Sequence, residues 1–444
     1  MFEVEGFSLM TLVTIMEFIL LSLCEVDIGG VNNINTKNEF DMKNLNPTIE
    51  LEQILGGQIY DALQGGVVEA VLKKAKLNSG DEYWRSNMEG HSIKITKPLL
   101  GDLYALCHEV KERLGFEEAV DFYVSGDSTV NAFSVAAAEE GMPHIVNLNS
   151  SLVSLMTEDE LRFVIGHELG HLINRDSALK RLIMFVFPPD NTTPPMTLHY
   201  KIRLHDQLAE LVADRYGYMA VGKVDACVTA FFKMASGLDL AKMNVSMDAL
   251  LEDNSRHLDY FLKDKGLNRA SHPVNPIRVQ ALNLFAGAES EEELSAGMEP
   301  LISILMKVGN SPIDEYMADF IASVGLIVAG VDNEVTSEEV NHIISTLAPM
   351  TIFPRVYLDE IAKANVSEVF SKAITAILDI DPGMRGPMLR YVMSLVLSDK
   401  DIAEKELEFI YSFGANLGFG EKEISTMFAE TIQREYVPSL NSIC

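Results

Sequence analysis

The stretch Ile165-Gly166-His167-Glu168-Leu169-Gly170-His171 carries two histidines four residues apart, with a glutamate directly after the first. In an α-helix, positions i and i+4 stack on one face, so both imidazoles can reach a single metal ion. Glu168 is rotated about 100° from His167, beside that ion, where a carboxylate can take a proton from water. A chance H-E-x-x-H in a chain of this length arises on the order of once in a hundred sequences. Two solvated histidines on an acidic helix would be the plainer account. Against it, Phe163, Val164, Ile165, Leu169, Leu172 and Ile173 make the segment apolar and partly buried, and buried polar groups need partners.

Zinc held by two histidines takes a third protein ligand and keeps one position open for water. Downstream, Glu210-Leu211-Val212-Ala213-Asp214 places two carboxylates four residues apart on another helical stretch. Glu210 is the expected third ligand, completing a site for one Zn2+ per chain. Asp214, one turn further, is expected to accept the free ring N–H of a ligating histidine and so fix its tautomer. Taken alone, these two acids would read as solvated residues of an amphipathic helix, and only the upstream histidine pair reverses that reading.

Outward from the two ligand segments, the pattern alternates helix and short strand. Residues 48–76 read as a helix broken by paired glycines, and Leu99 to Leu114 as a second helix. Phe122 to Val124, Ala132 to Ala136 and His144 to Leu148 read as short strands. Leu152 to Arg175, Leu204 to Ala220 and Asp225 to Gly237 are helical by pattern, and the proline-rich stretch 188–195 is a loop between the two ligand helices. Residues 287–300 hold five glutamates and no basic side chain, and helix then follows helix. The expected organisation is an N-terminal apolar helix and flexible connector (1–47), an α+β catalytic domain (48–286), an acidic linker (287–300) and an all-helical domain (301–444).

With 48% hydrophobic and 23% charged residues, the 444-residue chain is globular, and 65 acidic against 35 basic side chains leave a formal charge of −30. That charge repels phosphate backbones and anionic lipid, so nucleic acid is excluded as a partner. Four scattered cysteines, at 24, 107, 227 and 444, form neither a disulfide framework nor a metal knuckle and point to a reducing, cytoplasmic location. Residues 7–24 are apolar but contain Glu17 and follow Glu3 and Glu5, where an export signal needs positive charge. They read as a buried or amphipathic helix. The alternative is an anchor or export segment, which would be the only route to membrane association.

The run Glu158 to His171, then Glu210 to Arg215, then Ser271-His272-Pro273 with Arg278, resembles the HtpX-like and CaaX-prenyl-protease family, number forty-eight of the zinc metallopeptidases. Asn131-Ala132-Phe133 and His144 to Leu148 look like that family's strand pair ahead of its zinc helix, and the likeness covers roughly residues 48–285. The resemblance implies a gluzincin endopeptidase acting on a protein or peptide, with His167, His171 and Glu210 on zinc and Glu168 as general base. It places His272 near the scissile carbonyl and Arg278 in support behind the ligands. Pro273 and Pro276 put His272 in a loop or at a helix start, from which it would donate to the oxyanion. The peptide is expected along an edge strand near His144 to Leu148, lined by Asn131, Ala132, Ile145, Val146 and Asn147. Membrane members of the family carry spanning helices, and the catalytic part of this sequence has none.

Two segments, Val324 to Glu339 and Val392 to Glu406, share the form apolar helix, acidic turn, next helix, with Asp332 and Asp399 in equivalent places. They resemble the TerB-like helical domain of tellurite resistance, which implies a docking or metal-sensing module with a protein partner. The alternative is that Thr336 with Glu339 and Asp401 with Glu404 are simple capping boxes. A catalytically silent scaffold is the rival to the enzyme as a whole. The intact Glu168 argues against it, since a structural zinc site has no use for a base. Hydrolysis of a non-peptide amide stays open.

Overall fold

A computed structural model describes residues 45–75, 81–137, 141–188, 194, 196–263, 272–307, 312–330, 355–397 and 403–435. The apolar stretch 7–24 and the acidic turns at Asp332 and Asp399 lie outside the described residues, as does most of the loop 188–195. The chain divides into two compact units, one reaching to Leu301 and one beginning at Ile302, apart from residues 1–39 and 195–197.

In the first unit, α1 (Glu50–Ala62), α2 (Gly65–Ala75) and α3 (Asp81–His91) lead into β1 (Ser92–Lys94) and α4 (Gly101–Arg113). Strands β2 (Val120–Ser125), β3 (Ala132–Val135) and β4 (His144–Asn149) follow, then α5 (Ser150–Leu155), α6 (Glu158–Ile173) and α7 (Asp176–Val186). The long α8 (Met196–Val221), α9 (Val224–Ser236), α10 (Met247–Lys263) and α11 (Asn275–Gly287) follow, and α12 (Glu291–Lys307) begins in this unit and runs past its limit at Leu301. The fold is α+β, predominantly helical with one small mixed sheet.

That sheet has the order β1-β2-β4-β3. β2 and β4 are parallel, while β1 pairs with β2 and β3 with β4 in antiparallel fashion. This corrects the expected peptide-binding strand. β4 is paired on both sides, Val146 lying between Phe122 of β2 and Ser134 of β3, and all six of its residues are buried. Ile145, Val146 and Asn147 therefore sit in the centre of the sheet with no ladder to offer. The edge strands are β1 and β3, and β3 is the edge beside β4.

The core explains why α6 is apolar nearly all round. Phe163, Val164, Ile165, Leu169 and Leu172 pack with Phe122, Val146 and Leu148 of the sheet and with Val228 and Phe231 of α9. The expected continuous helix 152–175 breaks at Thr157, whose extended backbone caps α6. Its hydroxyl accepts from the Glu160 amide at 3.4 Å, and Glu160 Oε2 accepts from the Thr157 amide at 2.7 Å. The same carboxylate takes a 2.8 Å bond from the buried Lys233 ammonium, which locks α9 against the start of α6.

Glycines set how closely α6 meets α8. A Cβ on Gly166 would fall 2.5 Å from Ala220 Cβ, and one on Gly170 would fall 2.9 Å from Tyr216 Cβ. Ridges this shallow let the two backbones approach until short side chains from both helices converge.

The acidic stretch 287–300 is not an open linker, because α12 begins at Glu291 and buries Leu294 and Met298. The second unit is helical throughout its described residues: α13 (Pro312–Gly330), α14 (Arg355–Lys363), α15 (Val366–Ile380), α16 (Arg385–Val396), α17 (Glu404–Asn416) and α18 (Glu421–Glu435). Phe320, Phe370, Phe409 and Phe413 stack at its centre, with ring centroids 5.5 to 6.3 Å apart.

Candidate active site

His167, Glu168 and His171 project from α6 into a cleft also lined by Ala132, Phe133 and Ser134 of the edge strand β3 and by Asn131 just before it. The Nε2 atoms of His167 and His171 are 3.2 Å apart. Glu210 of α8 brings one carboxylate oxygen to 3.4 Å from His167 Nε2 and the other to 3.6 Å from His171 Nε2. Donor atoms of the three buried residues lie within 4.8 Å of one another. Two imidazole nitrogens and a carboxylate aimed at one point are a donor set suited to zinc, so the residues present fit the implied metal.

Electrostatics point the same way. Burial penalises an imidazolium at His167, yet the carboxylates of Asp214 and Glu210 outweigh it and raise the group to about 10. Burial likewise pushes the Glu210 carboxyl up, and the surrounding histidines reverse this and hold it well below the usual carboxylate range. The pocket is built to hold positive charge.

Behind the ligands, His167 Nδ1 lies 2.9 Å from Asp214 Oδ1. Asp214 is itself clamped by Arg278 of α11, whose Nε and Nη2 donate to its two oxygens at 2.8 and 2.5 Å. The Arg278 guanidinium lies 4.5 Å from the centre of the Phe231 ring. Burial raises the Asp214 carboxyl less than Arg278 and His167 lower it, so the aspartate stays ionised. His272, just ahead of α11 and half-exposed in the cleft, places Nδ1 2.6 Å from Glu210 Oε2. The folded chain thus brings His167, Glu168, His171, Glu210, Asp214, His272, Arg278, Asn131 and Ala132 together. Ile145, Val146 and Asn147 stand apart, in the sheet interior.

Asp176 was not legible in the sequence. Its Oδ2 lies 2.9 Å from His171 Nδ1, the counterpart of Asp214 at His167. Five residues beyond a histidine on a straight helix lies about 140° away around the axis, so spacing alone argues against such a pair. The chain reaches it through Arg175, whose left-handed backbone (φ 61°) lies between α6 and α7 and redirects the chain so that Asp176, the first residue of α7, meets the ring.

Among described residues, no helix is long and apolar enough to cross a membrane. Residues 101–188, from α4 through β4 to α7 and both histidines, match the profile of Peptidase family M48. The chain is similar to the plastoglobule-localized metallopeptidase 48 of Arabidopsis thaliana, a chloroplast protein, with 26% identity over 56% of this chain and 71% of that one. It is 36% identical to a protease HtpX homolog of Saccharolobus solfataricus and 37% identical to one of Thermoplasma volcanium. Those matches cover 20% and 18% of this chain and only about a quarter of each relative. No solved structure matches. The relatives lend no support to the cytoplasmic location expected from the cysteines, nor do they support a TerB-like identity for the helices beyond Leu301. The matches and the site agree on the same stretch: residues 101–188 fit the Peptidase family M48 profile, in a chain similar to metallopeptidases that include HtpX homologs.

Proposed function

We propose that the chain is a zinc-dependent endopeptidase. The observation that carries this reading is the convergence of His167, His171 and Glu210 beside Glu168, in a cleft bordered by an unpaired strand edge. Zinc held by those three residues would supply a Lewis acid and bring the pKa of water to about 7, giving activity at neutral pH. Glu168 takes the proton from the attacking water and passes it to the departing amine. His272 donates to the oxyanion as water adds to the carbonyl, a contact stronger in the transition state than in the bound substrate. Asp214 and Asp176 hold the two ligand imidazoles with Nε2 toward the cleft, and Arg278 keeps Asp214 in place.

The substrate is an extended protein or peptide segment that adds to the free edge of β3, where Asn131, Ala132, Phe133 and Ser134 face the cleft. Main-chain pairing of this kind selects for unfolded or loop segments more than for a particular side chain. The test is cleavage of an unfolded protein such as reduced casein by the purified full chain. Cleavage that a chelator abolishes and added Zn2+ restores is the expected result. Cleavage indifferent to the chelator, or none with zinc fully loaded, would overturn the reading.

A further inference from the structure

A second cluster of metal-ligating side chains lies behind the cleft. Glu52 of α1, Asp176 at the start of α7 and His205 of α8 are each more than nine-tenths buried, and one donor atom from each lies within 4.8 Å of the others. His205 Nε2 is 2.9 Å from Glu52 Oε1. The Asn174 amide bridges the two acids, its Nδ2 standing 3.1 Å from Glu52 Oε1 and 2.7 Å from Asp176 Oδ1. Three helices and the turn after α6 therefore deliver polar groups to one enclosed spot. We propose that Glu52, Asp176, His205 and Asn174 form a second divalent-cation site, structural in purpose, tying the N-terminal helix α1 to the helix that carries the catalytic residues.

Charge is the first argument. Among the described residues no lysine or arginine forms an ion pair with Glu52 or Asp176, and their ionic partners are His205 and His171 respectively. With His205 protonated, one of the two buried carboxylates is still left with no partner but His171, an imidazole that belongs to the catalytic set. Buried charge without compensation is strongly unfavourable, whereas a divalent ion with a neutral His205 balances the two acids completely.

Ligand chemistry and fit are the second. Two carboxylates, an imidazole and an amide oxygen suit a borderline cation such as Zn2+ or Mn2+. Asn174 presents its nitrogen to the acids here, but amide oxygen and nitrogen are interchangeable by a half-turn of the group. With a cation present, Oδ1 would turn inward as the fourth ligand and close a tetrahedron. Tetrahedral ligand atoms on zinc stand about 3.4 Å apart, so the contacts of 2.7 to 3.1 Å within the cluster would each widen by only a few tenths of an ångström to admit the ion. Gly56, one turn along α1 from Glu52, keeps room for the imidazole: a Cβ there would lie 3.3 Å from His205 Nε2.

The site is separate from the catalytic one, to which Asp176 joins it by the single contact with His171. It stands whether or not the protein is a peptidase. Equilibrium dialysis of the chelator-stripped full chain against Zn2+, with a weak competing chelator to clear surface carboxylates and metal counted by mass spectrometry, tests it directly. Wild type should bind two equivalents. Glu52→Gln and His205→Ala should each bind one, and His167→Ala, which damages only the catalytic set, should also keep one. Asn174→Asp replaces a neutral ligand with a charged one and should tighten the second equivalent at least tenfold, so the idea remains testable if a buried variant fails to fold. Saturation of wild type at one equivalent, Glu52→Gln still binding two, or Asn174→Asp leaving the second affinity unchanged would each overturn the proposal. Loss of both equivalents in His167→Ala would overturn it as well, while failure of peptidase activity alone would not.

Discussion

His171 Nδ1 rests 2.9 Å from Asp176 Oδ2, at the same distance that separates His167 Nδ1 from Asp214 Oδ1. Each candidate ligand imidazole is thus held by its own buried carboxylate, one from the turn that follows α6 and one from the helix packed across it. A carboxylate in that place fixes the ring and raises the basicity of the opposite nitrogen.

Replacing either carboxylate by its amide should weaken metal binding without unfolding the chain. Asp214→Asn and Asp176→Asn are each expected to lower the affinity of the zinc that supports activity by about 10- to 100-fold. Titrating activity against buffered free Zn2+ measures this. Asp214→Ala should do more, because it strands the buried Arg278 guanidinium, and a loss of about 3 to 5 kcal/mol in denaturant unfolding is expected.

Gly170→Ala should separate the two ligand helices. The added methyl would lie 2.9 Å from Tyr216 Cβ and 3.1 Å from Ala213 Cα, and overpacking of this kind typically costs about 1 to 3 kcal/mol. Because the strain acts on the crossing that places Glu210 and Asp214, zinc affinity should fall together with the unfolding midpoint. A variant as stable as wild type with unchanged metal affinity would show that the crossing tolerates a wider spacing.

Acid should unlock α6 at its capping residue. Burial raises the Glu160 carboxyl, but the bonds from Lys233 and the Thr157 amide prevail and set it below its ordinary value. A carboxylate depressed in the folded state contributes stability above its unfolded pKa of about 4.3 and loses it as pH falls through the lower folded value. Glu160→Gln should therefore flatten the acid limb of the stability profile. It should also destabilise the neutral protein by about 3 to 5 kcal/mol, since Lys233 would be left buried and unpaired. Chemical denaturation from pH 3 to 7 reads both effects.

How far the sequence could be read followed from the physics of each signal. Helical spacing is local, so His167, Glu168 and His171 on one face, and Glu210 with Asp214 on another, could be placed before any fold was known. The strands were visible as apolar runs, but their order was not, since a run such as His144 to Leu148 looks the same in the centre of a sheet as at its edge. That is why Ile145, Val146 and Asn147 were expected against the peptide, while it is β3 that forms the edge beside β4. Asp176 was hidden by a reversal at a non-glycine residue, Arg175, a conformation that few side chains adopt and that no spacing rule anticipates. Glu52 and His205 lie 122 and 31 residues from Asn174 and meet it only through tertiary packing.

His272→Ala should lower kcat by about 10²- to 10³-fold, the usual effect of removing one oxyanion donor, while zinc content stays at the wild-type level. The side chain contacts Glu210 yet is not needed to complete the ligand set, so metal and rate should separate. Unchanged kcat on a fluorogenic peptide, or zinc lost along with activity, would remove His272 from the oxyanion role.

The central claim is that His167, His171 and Glu210 hold the metal while Glu168 moves the proton. Glu168→Gln separates the two functions within one side chain, because an amide of nearly the same shape cannot accept a proton from water. Metal content and casein hydrolysis, measured on the same preparation of this variant and of wild type, give the most direct test. The account predicts equal zinc in both proteins and nearly complete loss of turnover in Glu168→Gln. Turnover close to wild type, or a variant that no longer retains its zinc, would contradict it.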